Sequence, residues 1–138
     1  MNRTATQHAS IAAESVNGLN LRVLANLARS EGADLARIKD VYEIAASLKV
    51  LAQRLTLAAD QMGRLVGEWQ DEGRLRTASA LDSGALVEDF GSAMDDAQKS
   101  ALALYAAFHH ATESLAPIGW QEPEAAEAEN LEVPCPEA

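Results

Sequence analysis

The 138-residue chain has few of the residues that build disulfides, multi-cysteine metal sites and pleated sheets. Its one cysteine excludes an internal disulfide framework and a zinc site made of several cysteines. Aromatic residues make up only 4% of the chain, which argues against a β-sandwich, whose pleated faces need aromatic and β-branched side chains. No apolar run approaches the roughly 18 residues of a membrane span. The N-terminal residues Met1-Asn2-Arg3-Thr4 lack the apolar stretch of a signal peptide. We therefore expect a cytoplasmic protein that does not bind membranes, with secretion without a signal peptide left open.

Basic residues are also scarce, with 11 lysines and arginines against 21 acids and a net charge of −10. Bulk charge therefore disfavours direct binding to nucleic acid or to an anionic membrane. Much of this acidity lies in residues 121–138, which hold six glutamates, three prolines and no base. Such a segment buries too little apolar surface to fold alone. We expect it to be a disordered acidic tail.

What the chain does contain is alanine, at 28 positions, within a hydrophobic content of 48%. Alanine is the strongest helix former, and the apolar content is enough for one domain with a core. The fold class predicted from composition is therefore all-α.

The strongest pattern runs from Ile38 to Trp69, where apolar or small residues recur in steps of three and four. This spacing predicts a bundle-packed or coiled-coil helix over about 34–70. A second apolar row beside the first widens the stripe and favours a globular bundle. The first row comprises Val41, Ala45, Leu48, Ala52, Leu55, Ala59, Met62, Val66 and Trp69, and the second comprises Ile44, Leu51, Ala58 and Leu65.

The same alternation returns between Val87 and Leu115, after a loop over 73–84, and it predicts another long helix over 84–116. Asp82 or Ser83 can cap its start, and Pro117 and Gly119 follow its end. Two long helices joined by a dozen residues predict an antiparallel hairpin. We expect its large apolar side chains to be buried between the helices, namely Leu48, Leu55, Met62, Phe90, Leu104 and Phe108.

The N-terminal part is less clearly patterned. Residues 1–18 are compatible with a flexible arm or a frayed helix, and residues 19–31 predict a short helix that ends near Gly32. Asp34 can cap the next helix. The expected architecture is a three-helix bundle over residues 19–120.

Some residues are left over from the expected hairpin core and are candidates for an interface with another subunit. Val50 and Leu57 lie one heptad apart with Ala46 nearby, outside the main stripe. Gly63 and Gly67 are costly inside a helix unless a neighbour packs closely there, or unless the helix frays near Val66; both alternatives stay open. The full candidate set is Ala46, Val50, Leu57, Ala59, Gly63, Gly67 and Trp69.

Residues able to carry chemistry are few. His109 and Glu113 lie one helical turn apart and can share a divalent ion, but two ligands are too few for a tight site. Cys135 lies between two prolines in the acidic tail, without the fixed base that a nucleophile needs. We expect no catalytic residue, no metal site and no cofactor, and therefore no enzyme.

One stretch has the relative spacing of a helix-turn-helix, with Ala28, Gly32, Ile38 and Val41 at its small-residue, turn and packing positions. Glu31 stands where such a motif needs an apolar residue, and a carboxylate in the turn that would face DNA repels phosphates. We therefore expect no direct nucleic-acid binding.

These observations predict a non-enzymatic helical protein–protein interaction module, an oligomerising adaptor or scaffold that binds a protein partner or itself. One alternative is a secreted hairpin, because the architecture resembles the small helical hairpins of type VII secretion. Their Trp-x-Gly bend is replaced here by Trp69-Gln70-Asp71-Glu72-Gly73, and histidine stands at 109 where their signal after Tyr105 needs an acid. The other alternative is an acidic mimic of nucleic acid that inhibits a nucleic-acid-binding protein.

Overall fold

The computed structural model describes residues 2–31, 34–35, 37–78, 81–119 and 121. They form three helices, α1 (Ala5–Ala28), α2 (Ile38–Asp71) and α3 (Ser83–Leu115), and the described residues include no strand. The all-α prediction is confirmed. Two compact units, Met1–Val41 and Tyr42–Ala138, are considered separately below.

Helix α1 is longer than the sequence pattern indicated, because it begins at Ala5 rather than near residue 19. A capping box fixes its start: the Thr4 hydroxyl accepts from the Gln7 backbone N–H at 3.2 Å, and the Gln7 side chain accepts from the Thr4 N–H at 2.8 Å. Residues 5–18, for which an arm and a frayed helix were both open, belong to this helix. It ends with Arg29 in the left-handed conformation (φ 54°), before the expected position at Gly32, which lies outside the described residues.

The Asn26 side chain fixes the path of the chain after α1. Its amide nitrogen donates to the Arg22 carbonyl at 2.8 Å and to the Asp34 carboxylate at 3.1 Å. Its amide oxygen accepts from the Leu35 N–H at 2.8 Å. The expected capping role of Asp34 is wrong, because α2 begins only at Ile38 and Asp34 is used by Asn26.

The C-terminal end of α2 and the start of α3 lie close to the predicted boundaries. After α2, Gly73 adopts the left-handed backbone conformation (φ 72°), which glycine tolerates best, and so ends the helix. Its N–H donates to the Gln70 carbonyl at 3.0 Å. Asp82 caps α3 by accepting from the Gly84 N–H at 2.9 Å. Because α2 continues to Asp71, the alternative of fraying near Val66 is wrong.

Three contacts show that α2 and α3 form an antiparallel hairpin, as predicted. The Lys49 ammonium lies 3.3 Å from His109 Nδ1, and a Cβ placed on Gly63 would lie 3.4 Å from the Met94 Cβ. Near the loop, the Gln70 amide donates to the Ser83 hydroxyl at 3.3 Å. Residue numbers along α2 rise as those along α3 fall, which defines the antiparallel direction.

Small residues fill the seam between the two helices. The buried positions are Ala45, Ala52 and Ala59 on α2 and Ala101 and Thr112 on α3, with Ala52 completely inaccessible. No large side chain among the described residues is fully buried. Alanine at this seam lets the two backbones approach closely, as the short Gly63–Met94 separation shows.

The prediction that large side chains are buried between the helices is therefore wrong for three of them. Leu55 is 47% exposed, Met62 48% and Leu104 43%. Because the alanines hold the backbones close together, these longer side chains do not fit in the seam and lie on its flank. The other three, Leu48, Phe90 and Phe108, are half-buried.

The sequence-predicted acidic tail lies outside the described residues except for Gln121, as do Trp120 and Cys135.

Candidate interaction surface

One flank of the hairpin is a continuous apolar surface, which we call the apolar face. On α2 its residues recur in alternating steps of four and three, the spacing that keeps side chains on one side of a supercoiled helix. On α3 three residues face them across the cleft. The α2 members are Ile44, Leu48, Leu51, Leu55, Ala58, Met62, Leu65 and Trp69, and the α3 members are Ala97, Ser100 and Leu104.

A shallow cleft of about 370 Å³ lies at the centre of the apolar face. Leu55 and Met62 from α2 and Leu104 from α3 form its large side chains, and small residues form the rest. No charged side chain lines it. The complete lining is Leu55, Ala58, Ala59, Met62, Met94, Ala97, Ser100, Ala101 and Leu104.

The opposite flank, which we call the polar face, has a different composition. Its cleft measures about 310 Å³, and four of its seven lining residues carry an amide, a hydroxyl or a carboxylate besides the phenol of Tyr105. Asp60 at its edge is paired with Arg64 at 3.3 Å. The lining comprises Gln53, Thr56, Leu57, Asp60, Gln98, Leu102 and Tyr105.

A polar cluster at the far end of the hairpin contains the residues considered for metal binding. The Lys49 ammonium can only donate, so His109 Nδ1 accepts from it at 3.3 Å and the neutral ring carries its proton on Nε2. Nε2 faces the Glu113 carboxylate at 3.5 Å. Tyr105 stacks on the imidazole with ring centres 6.4 Å apart.

This arrangement favours a helix-to-helix link over a cation site. A cation shared with Glu113 would have to bind Nε2, which carries the ring N–H while Nδ1 accepts from Lys49, and the nearby Lys49 charge repels a cation. His109 and Glu113 have side chains that are 50% and 64% exposed, so water screens their interaction. Within the described ranges, no three or more His, Cys, Asp or Glu side chains are grouped closely enough to hold a metal ion.

The interface candidates from the sequence fall in three places. Ala59 is buried in the seam of its own chain, and Gly63 contacts Met94 there, so α3 already occupies both positions. Val50 is 37% exposed, and Leu57, one heptad on and 56% exposed, lies on the polar face; Ala46 on α2 is half-buried.

The last two candidates, Trp69 and Gly67, have different surroundings. Trp69, 38% exposed, stands at the end of the apolar face, whereas a Cβ added at Gly67 would have no neighbour within 4 Å.

Sequence reasoning missed the row Ile44, Leu51, Ala58 and Leu65 as interface candidates, although it recognised that these residues widen the apolar stripe. It interpreted the wider stripe only as a sign of a globular bundle. The available signal was the row's own heptad spacing, which continues for as long as the alanine row does.

Helix α1, considered within its own unit, has no buried residue. Its apolar side chains include Ile11 at 39%, Leu21 at 59%, Leu24 at 60% and Leu27 at 77% exposed. The unit thus presents apolar side chains without a core of its own among its described residues.

No known protein family, curated protein or solved structure matches this chain in the comparisons made with each. Among the helices formed by the described residues, none has both the length and the apolar character needed to cross a membrane.

Proposed function

We propose that this chain is a non-enzymatic helical module that binds protein helices through the apolar face of its α2–α3 hairpin. The observation that carries the proposal is the α2 row of the apolar face, which runs from Ile44 to Trp69 without a charged member and whose large side chains from Leu55 onward are exposed. A row of this spacing is complementary to another helix, because side chains from a partner fit between its members.

The energetics support this proposal. Full burial of a leucine or methionine side chain contributes about 1.5–3 kcal/mol, and Leu55, Met62 and Leu65 each keep between 44% and 48% of their surface exposed. A partner that covers them gains the rest of that burial. Contiguous apolar surfaces of this kind mark interaction sites on soluble proteins, whereas single exposed leucines do not.

A matched pair of leucines provides the test. Leu55 lies on the apolar face and Leu57 on the polar face, they are two residues apart, and both are about half exposed. A photo-crosslinking amino acid placed at either position, in the full chain expressed in its native cells, reports which face touches another protein. We expect a discrete adduct of higher mass from position 55 and none from position 57.

A second substitution tests whether that adduct depends on the face. Met62→Glu places a carboxylate one heptad beyond position 55 on the same row and should abolish the adduct. Arg54→Glu, at an exposed position that does not line the cleft, should leave it in place. The absence of an adduct at position 55, or an adduct at position 57 alone, would contradict the proposal.

A further inference from the structure

We infer that the partner of the apolar face is the same face of a second copy of this chain, so that two hairpins form a four-helix bundle. This inference rests on the proposed function and names the partner of that surface. Four-helix bundles are a common way for two helical hairpins to bury one face each.

The first support is the size of the face. The apolar face extends from Ile44 to Trp69 of α2, which at 1.5 Å per residue makes it about 40 Å long. Two helices packed about 9 Å apart present a strip roughly 18 Å wide. The resulting area of about 700 Å² is close to the roughly 800 Å² per partner that a stable protein–protein interface buries.

The second support is the shape of the apolar face, where large side chains and a shallow cleft lie side by side. Leu55, Met62 and Leu104 are 43–48% exposed and line the same cleft as the buried Ala59 and Ala101. Each copy therefore offers both large side chains and the space that receives them. Under two-fold symmetry the same patch meets itself, and the assembly closes at two chains.

The third support is electrostatic. Two copies that each carry a net charge of −10 repel one another, so an uncharged surface is the most favourable place for them to meet. The apolar cleft has no charged lining residue, while the polar face carries the Asp60–Arg64 ion pair at its cleft, which a second copy would have to desolvate. The apolar face is thus the flank whose cleft a second copy can cover without burying a charged side chain.

The experiment measures the mass of the purified full chain by light scattering across micromolar concentrations, with helical content followed by circular dichroism. We expect the unmodified protein at twice its chain mass of 14.7 kDa. Leu55→Glu should raise the dimer dissociation constant by about 100-fold or more, because symmetry buries two unpaired carboxylates. Leu57→Glu, the matched control, should leave the dimer intact.

Leu104→Glu, at a position 43% exposed on α3, repeats the test if Leu55→Glu loses helical content. Both positions are exposed enough for a glutamate to reach water in a single chain. A monomeric unmodified protein would overturn the inference, as would a dimer that Leu57→Glu dissociates or that neither apolar-face variant weakens. The crosslinked adduct at position 55 separates the two proposals: an adduct with a different protein contradicts self-pairing but supports the interaction module, and no adduct contradicts both.

Discussion

The two flanks of the α2–α3 hairpin differ although they border the same alanine seam. Leu55 stands among Ala58, Met62 and Leu104, whereas Leu57 stands among amides, a hydroxyl and a carboxylate. The two leucines have similar exposure, so exposure alone does not distinguish an interaction surface from an ordinary one. The two flanks differ in what surrounds each leucine along the helix. On the Leu55 flank, apolar residues recur in every successive heptad of α2, whereas on the Leu57 flank polar and charged residues interrupt them.

The largest effect should come from filling the seam that separates the flanks. Ala52 is completely inaccessible, so Ala52→Leu must push the helices apart and should lower the free energy of unfolding by about 3 kcal/mol. Ala106→Leu, the same change at an exposed site on α3, should shift it by less than about 0.5 kcal/mol. Denaturant unfolding measures both, and equal effects would show that the seam is not tightly packed.

Truncating the two leucines compares the flanks directly. In dilute solution Leu55→Ala and Leu57→Ala should each lower the free energy of unfolding by about 1 kcal/mol, since each side chain is about half exposed. At concentrations where chains associate, only the Leu55→Ala cost should grow, because only that side chain is then covered. Unfolding curves recorded over a wide concentration range provide the measurement. A cost that grows equally for both variants would remove the distinction between the flanks.

The helical glycines Gly63 and Gly67 give a smaller effect. Alanine in a helix interior is favoured over glycine by about 1 kcal/mol. Gly67→Ala should gain most of this because no atom lies within 4 Å of the added Cβ, and Gly63→Ala should gain less because Met94 lies at 3.4 Å. Thermal melting of both variants tests the order. Equal gains would mean that α3 does not restrict position 63.

The smallest effect concerns salt. Chains with a net charge of −10 that meet through an uncharged face should associate a few-fold more tightly between about 0.05 and 0.5 M salt, because their repulsion is screened. Light scattering at both salt concentrations measures this. Weaker association at high salt would instead indicate that ion pairs hold the copies together.

The sequence predicted the helices of the hairpin well because their signals are local. The three-four spacing, the cap at Asp82 and the termination at Gly73 each depend on a few neighbouring residues, and all are found in the structure. The start of α1 was also readable, since Thr4 and Gln7 have the capping-box spacing. The weak apolar pattern before Gly18 concealed it.

The side on which α3 packs could not be predicted from periodicity. Leu48, Leu55, Met62 and Trp69 belong both to the row completed by the alanines and to the row completed by Ile44, Leu51, Ala58 and Leu65. Either row satisfies the heptad spacing. The choice depends on how closely α3 can approach, a non-local property that the alanines and Gly63 determine. For the same reason Leu57 was chosen as an interface candidate although it lies on the polar face.

The alanine seam also reverses the usual pattern of mutational tolerance. In most proteins the large core residues are the least replaceable. Here the least replaceable residues are expected to be the buried alanines Ala52, Ala59 and Ala101. A larger residue separates the helices, and glycine lowers helix stability. Homologous sequences should therefore keep small residues at these sites while their leucines vary among other large apolar residues. A saturation-mutagenesis screen for folded protein should find its most restricted sites among the smallest side chains.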